Sequence, residues 1–236
     1  MSTLIFDIET VGEDYDELDE VTQDCLSRWI KRESMTRDEY EKRLEDLKDG
    51  LGFSPLTGEI IIIGVLDYEK NRGTVYFQAP EKKIEPFEEN GFTFKSMTEK
   101  EMLESFWNGI KHYQSLVSFN GRRFDIPFLM LRSAVNKVKP SKNLLSNRYL
   151  NSQWQGVKHI DLLDQLTFYG ALPKRPNLHL VTRAFGIKSP KIEGITGDDV
   201  KQLFLEGKYI ELAKYNVGDL MATKEVYERW RDYLRI

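Results

Sequence analysis

The 236-residue chain is 40% hydrophobic and 31% charged, with 13 Phe, 11 Tyr and 4 Trp, a makeup that excludes a disordered protein. A formal charge of −4 excludes a surface coated in basic residues, so any nucleic-acid partner is to be held by a local patch or through metal ions. The longest apolar run, Ile60 to Leu66, falls far short of the roughly 20 residues a bilayer demands. The N-terminal residues lack the basic and apolar regions of a signal peptide, and the single cysteine, Cys25, allows no internal disulfide. Together these point away from a membrane and toward a reducing, cytoplasmic setting.

Ser2 to Ile8 reads as a strand, apolar and rich in β-branched and aromatic residues. Period two places Asp7 and Glu9 on one face, with Phe6 and Ile8 on the other. Two carboxylates that close resist joint ionisation unless a cation lies between them, so the pair is either half of a metal site or a solvated strand end. Helix spacing follows at Leu18, Val21, Cys25, Leu26, Trp29 and Ile30, then a second helix from Thr36 to a stop at Gly50. These helices, about 12–50, form an insertion between the first two strands, either a guide beside the site or a hairpin packed on the sheet.

Glu59 to Leu66 and Gly73 to Phe77 are β-branched runs that make a meander with strand one. Thr98 and Glu101 have the capping-box spacing ahead of a helix with Met102, Leu103, Phe106, Trp107 and Ile110 as its buried stripe. Ser115 to Asn120 is a strand, Ile126 to Asn136 a helix, Lys158 to Leu162 a further strand, and Leu178 to Phe185 a helix with Gly186 past its end. Asp198-Asp199 opens a short helix, and a longer one runs from Tyr209 to Leu234. The whole of 1–236 reads as one α/β domain with a mixed five-stranded sheet flanked by helices.

Two later stretches carry aimed acids. Asp125 sits at a helix start, where alone it would be a simple cap, and Tyr215 and Asp219 lie one turn apart, where alone they would be a surface pair. As an ordered set, Phe6-Asp7-Ile8-Glu9-Thr10, Asn120 to Asp125 and Tyr215 with Asp219 resemble the three motifs of the DEDD superfamily of 3′-5′ exonucleases. Tyrosine in the third motif marks the tyrosine subgroup, similar to the proofreading exonuclease domain of family B DNA polymerases, here as a stand-alone domain. The stretch from Pro190 and Lys191 through Gly197, Val200 and Tyr215 also resembles that group. The fold implied is ribonuclease-H-like.

The resemblance implies phosphodiester hydrolysis at the 3′ end of single-stranded nucleic acid, DNA ahead of RNA, with two divalent ions, Mg²⁺ or Mn²⁺, and a role such as DNA repair. By family, Asp7 bridges both ions, Glu9 and Asp219 hold the one carrying the attacking water, Asp125 acts directly or through bound water, and Tyr215 orients that water. Thr10, Asn120, Phe124, Arg122 and Arg123 are expected against the substrate, with Lys174 and Arg175 as further phosphate contacts. Each has a plainer reading: Phe124 as core, Asn120 as a loop brace, the cations as a solvated face. His159 is expected to be strand-end structure. The alternative for the whole chain is an inactive or partner-activated nucleic-acid-binding module on the same fold.

Overall fold

The computed structural model describes residues 2–153, 156–188 and 199–235. The expected features at Pro190, Lys191, Gly197 and Asp198 lie outside the described residues. The sheet is built outward from β1 (Thr3–Gly12), which pairs antiparallel with β2 (Gly58–Asp67) on one side and parallel with β6 (Ser115–Ser118) on the other. β3 (Arg72–Phe77) continues the meander, and β7 (Lys158–Asp161) extends the parallel side.

The sheet has seven strands, not five, in the order β4-β5-β3-β2-β1-β6-β7. The two additional strands, β4 (Phe87–Glu89) and β5 (Phe92–Ser96), are a hairpin whose outer strand closes one edge. Its signal is Asn90-Gly91: both residues take positive φ (50° and 83°), the two-residue turn that matches strand twist. A three-residue edge strand with two glutamates carries little hydrophobic pattern, so the turn dipeptide is the clearest local mark.

Helices cover both faces. Phe6 and Ile8 lie in a core with α3 (Glu99–Gly109) and α4 (Asp125–Val135), while Ile5 faces the opposite core with α6 (Leu178–Phe185), α7 (Val200–Leu205) and α8 (Tyr209–Tyr233). Each fully buried Phe or Ile there contributes about 1.5–3 kcal/mol. The capping box at Thr98 is formed, with Thr98 Oγ1 accepting from the Glu101 N–H and Glu101 accepting from the Thr98 N–H. Between β1 and β2 stand α1 (Glu20–Glu33) and α2 (Arg37–Gly50). They bury little: α1 covers only Ser27 and Ile30 fully, and α2 no residue. The fold is thus α/β and ribonuclease-H-like, with a mixed sheet flanked by helices.

Candidate metal and nuclease site

The end of β1 meets the side of α8, and that crossing gathers the acids. Oxygens of Asp7, Glu9 and Asp219 lie within 4.8 Å of one another. Alternation along β1 turns Asp7 and Glu9 toward α8, and a register shift against β2 between Glu9 and Thr10 re-aims the strand just past them. Asp125 enters from the first turn of α4. Phe124 is the N-cap and makes no side-chain capping bond, so Asp125 does not serve as the cap. Its carboxyl is buried, and its Oδ1 has no hydrogen-bond partner.

This arrangement costs energy without a cation. Burial, then the charges of Asp125, Glu9 and Asp219, raise the Asp7 carboxyl well above the usual carboxylate range. Burial and Asp219 do the same for Glu9. Burial lifts Asp125 to about 7. Clustered oxygens, mutual repulsion and an orphaned buried oxygen fit hard divalent cations, which take carboxylate ligands and offset their charge. Tyr215, one turn before Asp219, has its phenol pushed upward by burial and by Asp219, Glu9 and Asp7, and its hydroxyl bonds Asp219.

Asn216, between Tyr215 and Asp219, has no role assigned from sequence; it is fully buried, and its Nδ2 donates to Asp7 Oδ2 at 2.8 Å. Room for it comes from Gly64, the β2 residue opposite Asp7, where a Cβ would overlap the Asn216 Oδ1. The sequence signal was a glycine inside an otherwise β-branched strand, which marks a close approach.

The second motif is held by Asp161 at the end of β7. Its carboxylate accepts the backbone N–H groups of Asn120 (3.0 Å) and Arg122 (2.9 Å) and also caps α5 (Leu162–Leu166). Asn120 itself has φ 64°, and a Cβ on Gly121 would overlap Ser118 Oγ. Ser118 Oγ pairs with His159 Nε2 at 2.8 Å, and burial pushes His159 down to about 3, so it is a neutral structural group.

The residues expected against the substrate separate by their contacts. Arg122 donates to the carbonyls of Asn147 (2.8 Å), Leu145 (3.3 Å) and Leu144 (3.4 Å), which makes it a brace for the 144–147 loop. Arg123 and Lys174 are exposed, and Arg175 Nη2 donates to Asn120 Oδ1 at 3.1 Å. Thr10 Oγ1 donates to the Gly52 carbonyl. Phe124 is half-buried, packed on Phe128 behind and faced by Phe53 in front.

A family model described as "Predicted 3'-5' exonuclease related to the exonuclease domain of PolB" matches residues 78–234. That span holds Asn120 to Asp125 and Tyr215 to Asp219, and it starts beyond Asp7 and Glu9. Among solved structures, the family B DNA polymerase from the hyperthermophilic archaeon Pyrobaculum calidifontis is similar with a TM-score of 0.57 at 16% identity. The match covers 98% of this chain and 24% of the polymerase, and at that identity it speaks for the fold alone. No curated protein matches. Among the described residues, no helix is long and apolar enough to cross a membrane.

Proposed function

Because the chain belongs to the family of predicted 3′-5′ exonucleases related to the exonuclease domain of PolB, we propose that it removes nucleotides from the 3′ end of single-stranded nucleic acid, DNA ahead of RNA. The observation that carries this reading is the approach of Asp7, Glu9 and Asp219 to within 4.8 Å, with Asp125 and Tyr215 beside them. Asp7, Glu9, Asp219 and Asp125 would hold two divalent ions, Mg²⁺ or Mn²⁺. When bound, such ions neutralise phosphate charge and make water a better nucleophile at neutral pH.

The chain's own residues position the reaction. Tyr215 keeps its proton at neutral pH, since its phenol is displaced upward, so it orients an attacking water as a hydrogen-bonding group and does not act as a base. Asn216 fixes the rotamer of Asp7, and Asp161 fixes the loop that delivers Asp125. Arg123, Lys174 and Arg175 supply positive charge for backbone phosphates, and Asn120, whose Oδ1 accepts from Arg175, joins them. The terminal base must leave any stack to reach the acids, which is why a single-stranded end suits the site. The single exposed Cys25 fits a reducing cytoplasm.

Digestion of 5′-labelled single-stranded DNA and RNA with Mg²⁺, Mn²⁺ or a chelator, beside Asp7→Ala, tests this. A metal-dependent ladder shortening from the 3′ end, absent in the variant, is the expected result. Binding without cleavage of either strand would favour a binding module or a partner-activated nuclease instead.

A further inference from the structure

The helical insertion carries a charge unlike that of the rest of the chain. From Glu13 to Gly50 it holds 14 Asp and Glu against 7 Lys and Arg, a net of −7, whereas the whole chain is −4, so the remaining residues come to +3. Five of the seven cations already face carboxylates of the insertion itself. Arg28 and Lys31 meet Asp24, Arg37 meets Glu41, Arg43 meets Glu33 and Glu39, and Lys48 meets Asp16, all at 3.1 Å or less. The surplus acids are left to solvent, and this part of the surface repels a phosphate backbone.

An apolar groove of about 470 Å³ runs between the two helices and the chain that returns to β2. Leu26 and Trp29 of α1, Leu47 of α2, and Leu51 and Leu56 of the return form its walls. Trp29 is 47% exposed and Leu56 74%, so these large side chains gain little from the fold itself. The floor is nonetheless fixed, since Thr57 Oγ1 donates to the Leu51 carbonyl at 2.8 Å and Leu51 is buried. Two charged residues line the groove. Arg43 is engaged by its two glutamates, whereas Asp46 is exposed and has no ion pair among the described residues. The lining is thus apolar with uncompensated negative charge at its edge.

We propose that this groove docks a basic amphipathic helix of a partner protein. Its bulky apolar residues enter between Trp29, Leu47 and Leu56, and its lysines or arginines meet Asp46 and the surplus acids around it. A nucleic acid brings the wrong charge to this surface. A second copy of the chain docked face to face would set one insertion of −7 against another, since a twofold contact pairs the same patch with itself. The inference stands apart from the exonuclease reading. It gives α1 and α2, which bury little of the sheet, the task of presenting an anchoring surface.

The probe is a fluorescent peptide of about five helical turns, with leucines along one face and lysines on the other, beside the same peptide carrying glutamate for every lysine. Fluorescence anisotropy with the full chain is expected to show the lysine peptide binding ~10-fold or more tightly than the glutamate peptide, and less tightly as salt is added. Trp29→Ala should weaken the lysine peptide ~10-fold or more, as loss of an aromatic anchor does. Asp46→Lys should weaken the lysine peptide and strengthen the glutamate peptide. Both variants should keep the wild-type melting temperature within a few degrees. No binding of the lysine peptide, equal binding of the two peptides, or wild-type affinity in both variants would overturn the proposal. Self-association in sedimentation that Trp29→Ala abolishes would assign the groove to a second copy instead. Weaker binding of single-stranded DNA by Trp29→Ala would assign it to nucleic acid, and either result would overturn the proposal.

Discussion

Asn216 and Asp7, 209 positions apart in sequence, share a hydrogen bond of 2.8 Å at the point where α8 crosses β1. The bond favours the charged form of Asp7, against burial and three neighbouring acids that oppose it. It also sets which Asp7 oxygen is turned toward the helix and which is left for a ligand. Gly64 makes the crossing close enough, since any side chain at that position would occupy the space of the asparagine amide.

Asn216→Ala is therefore expected to weaken divalent-ion binding about 10- to 100-fold, the usual cost of losing a group that orients a ligand. Gly64→Ala should do the same from the other side by displacing the amide, and should also cost stability. Calorimetric titration with Mn²⁺ reads the first effect and denaturant unfolding the second. Wild-type affinity in both variants would show that Asp7 is oriented by the strand alone.

The crowded acids also predict an unusual pH dependence of folding. The native Asp125 carboxyl holds its proton up to about 7, whereas the unfolded chain has the ordinary value of 3.8. Between those values the native state binds more protons than the unfolded state, so stability falls as pH rises through that window and levels off above it. Asp7 and Glu9 are shifted in the same direction and add to the slope. Each kcal/mol lost lowers Tm by about 2–4 °C in a chain of this size. Melting of metal-free protein from pH 5 to 8 should show this decline, and Mg²⁺ should reverse it most strongly at the alkaline end. A flat profile without metal would mean that the acids are not mutually destabilising.

Removing one acid tests the same balance at a single position. Asp7→Asn should abolish metal-dependent cleavage while raising the melting temperature of the metal-free protein at pH 8, because repulsion is relieved and the Asn216 side chain retains a polar neighbour. Loss of both activity and folding would instead assign Asp7 a structural role.

Tyr215→Phe separates orientation from metal binding. The phenol is no metal ligand in this reading, so Mn²⁺ affinity should stay within about twofold while single-turnover cleavage slows by about tenfold, the rate equivalent of one lost hydrogen bond of about 1.4 kcal/mol. An unchanged rate would remove Tyr215 from the mechanism.

The acids were legible in sequence because each lies at a place where the local pattern aims it: alternation for Asp7 and Glu9, a strand-to-helix junction for Asp125, helix spacing for Tyr215 and Asp219. Two of their supports were not, since Asn216 and Asp161 act across 39 to 209 positions of sequence, and no local period reports such contacts. Arg122 shows the same limit from the other direction. As a cation beside the motif it reads as a phosphate contact, and only the fold reveals three carbonyls around its guanidinium. The hairpin of β4 and β5 was readable from Asn90-Gly91, but its short acidic outer strand masked the hydrophobic alternation that usually draws attention.

Asp161 joins stability to the site more directly than any other support. Its carboxylate accepts four backbone N–H groups, from Asn120, Arg122, Leu163 and Asp164, and so ties the second-motif loop to the first turn of α5. Asp161→Ala leaves those donors without the acceptor and should destabilise the fold by about 2–4 kcal/mol, the combined cost of a lost cap and of unsatisfied buried donors. The Asn120 backbone, held at φ 64°, would then relax, and Asp125 would lose its fixed approach to β1. Cleavage measured well below the melting temperature, at saturating Mn²⁺, should fall about tenfold or more even though the protein remains folded. A destabilised variant with wild-type turnover would show that the loop keeps its shape through Gly121 and Ser118 without the clamp.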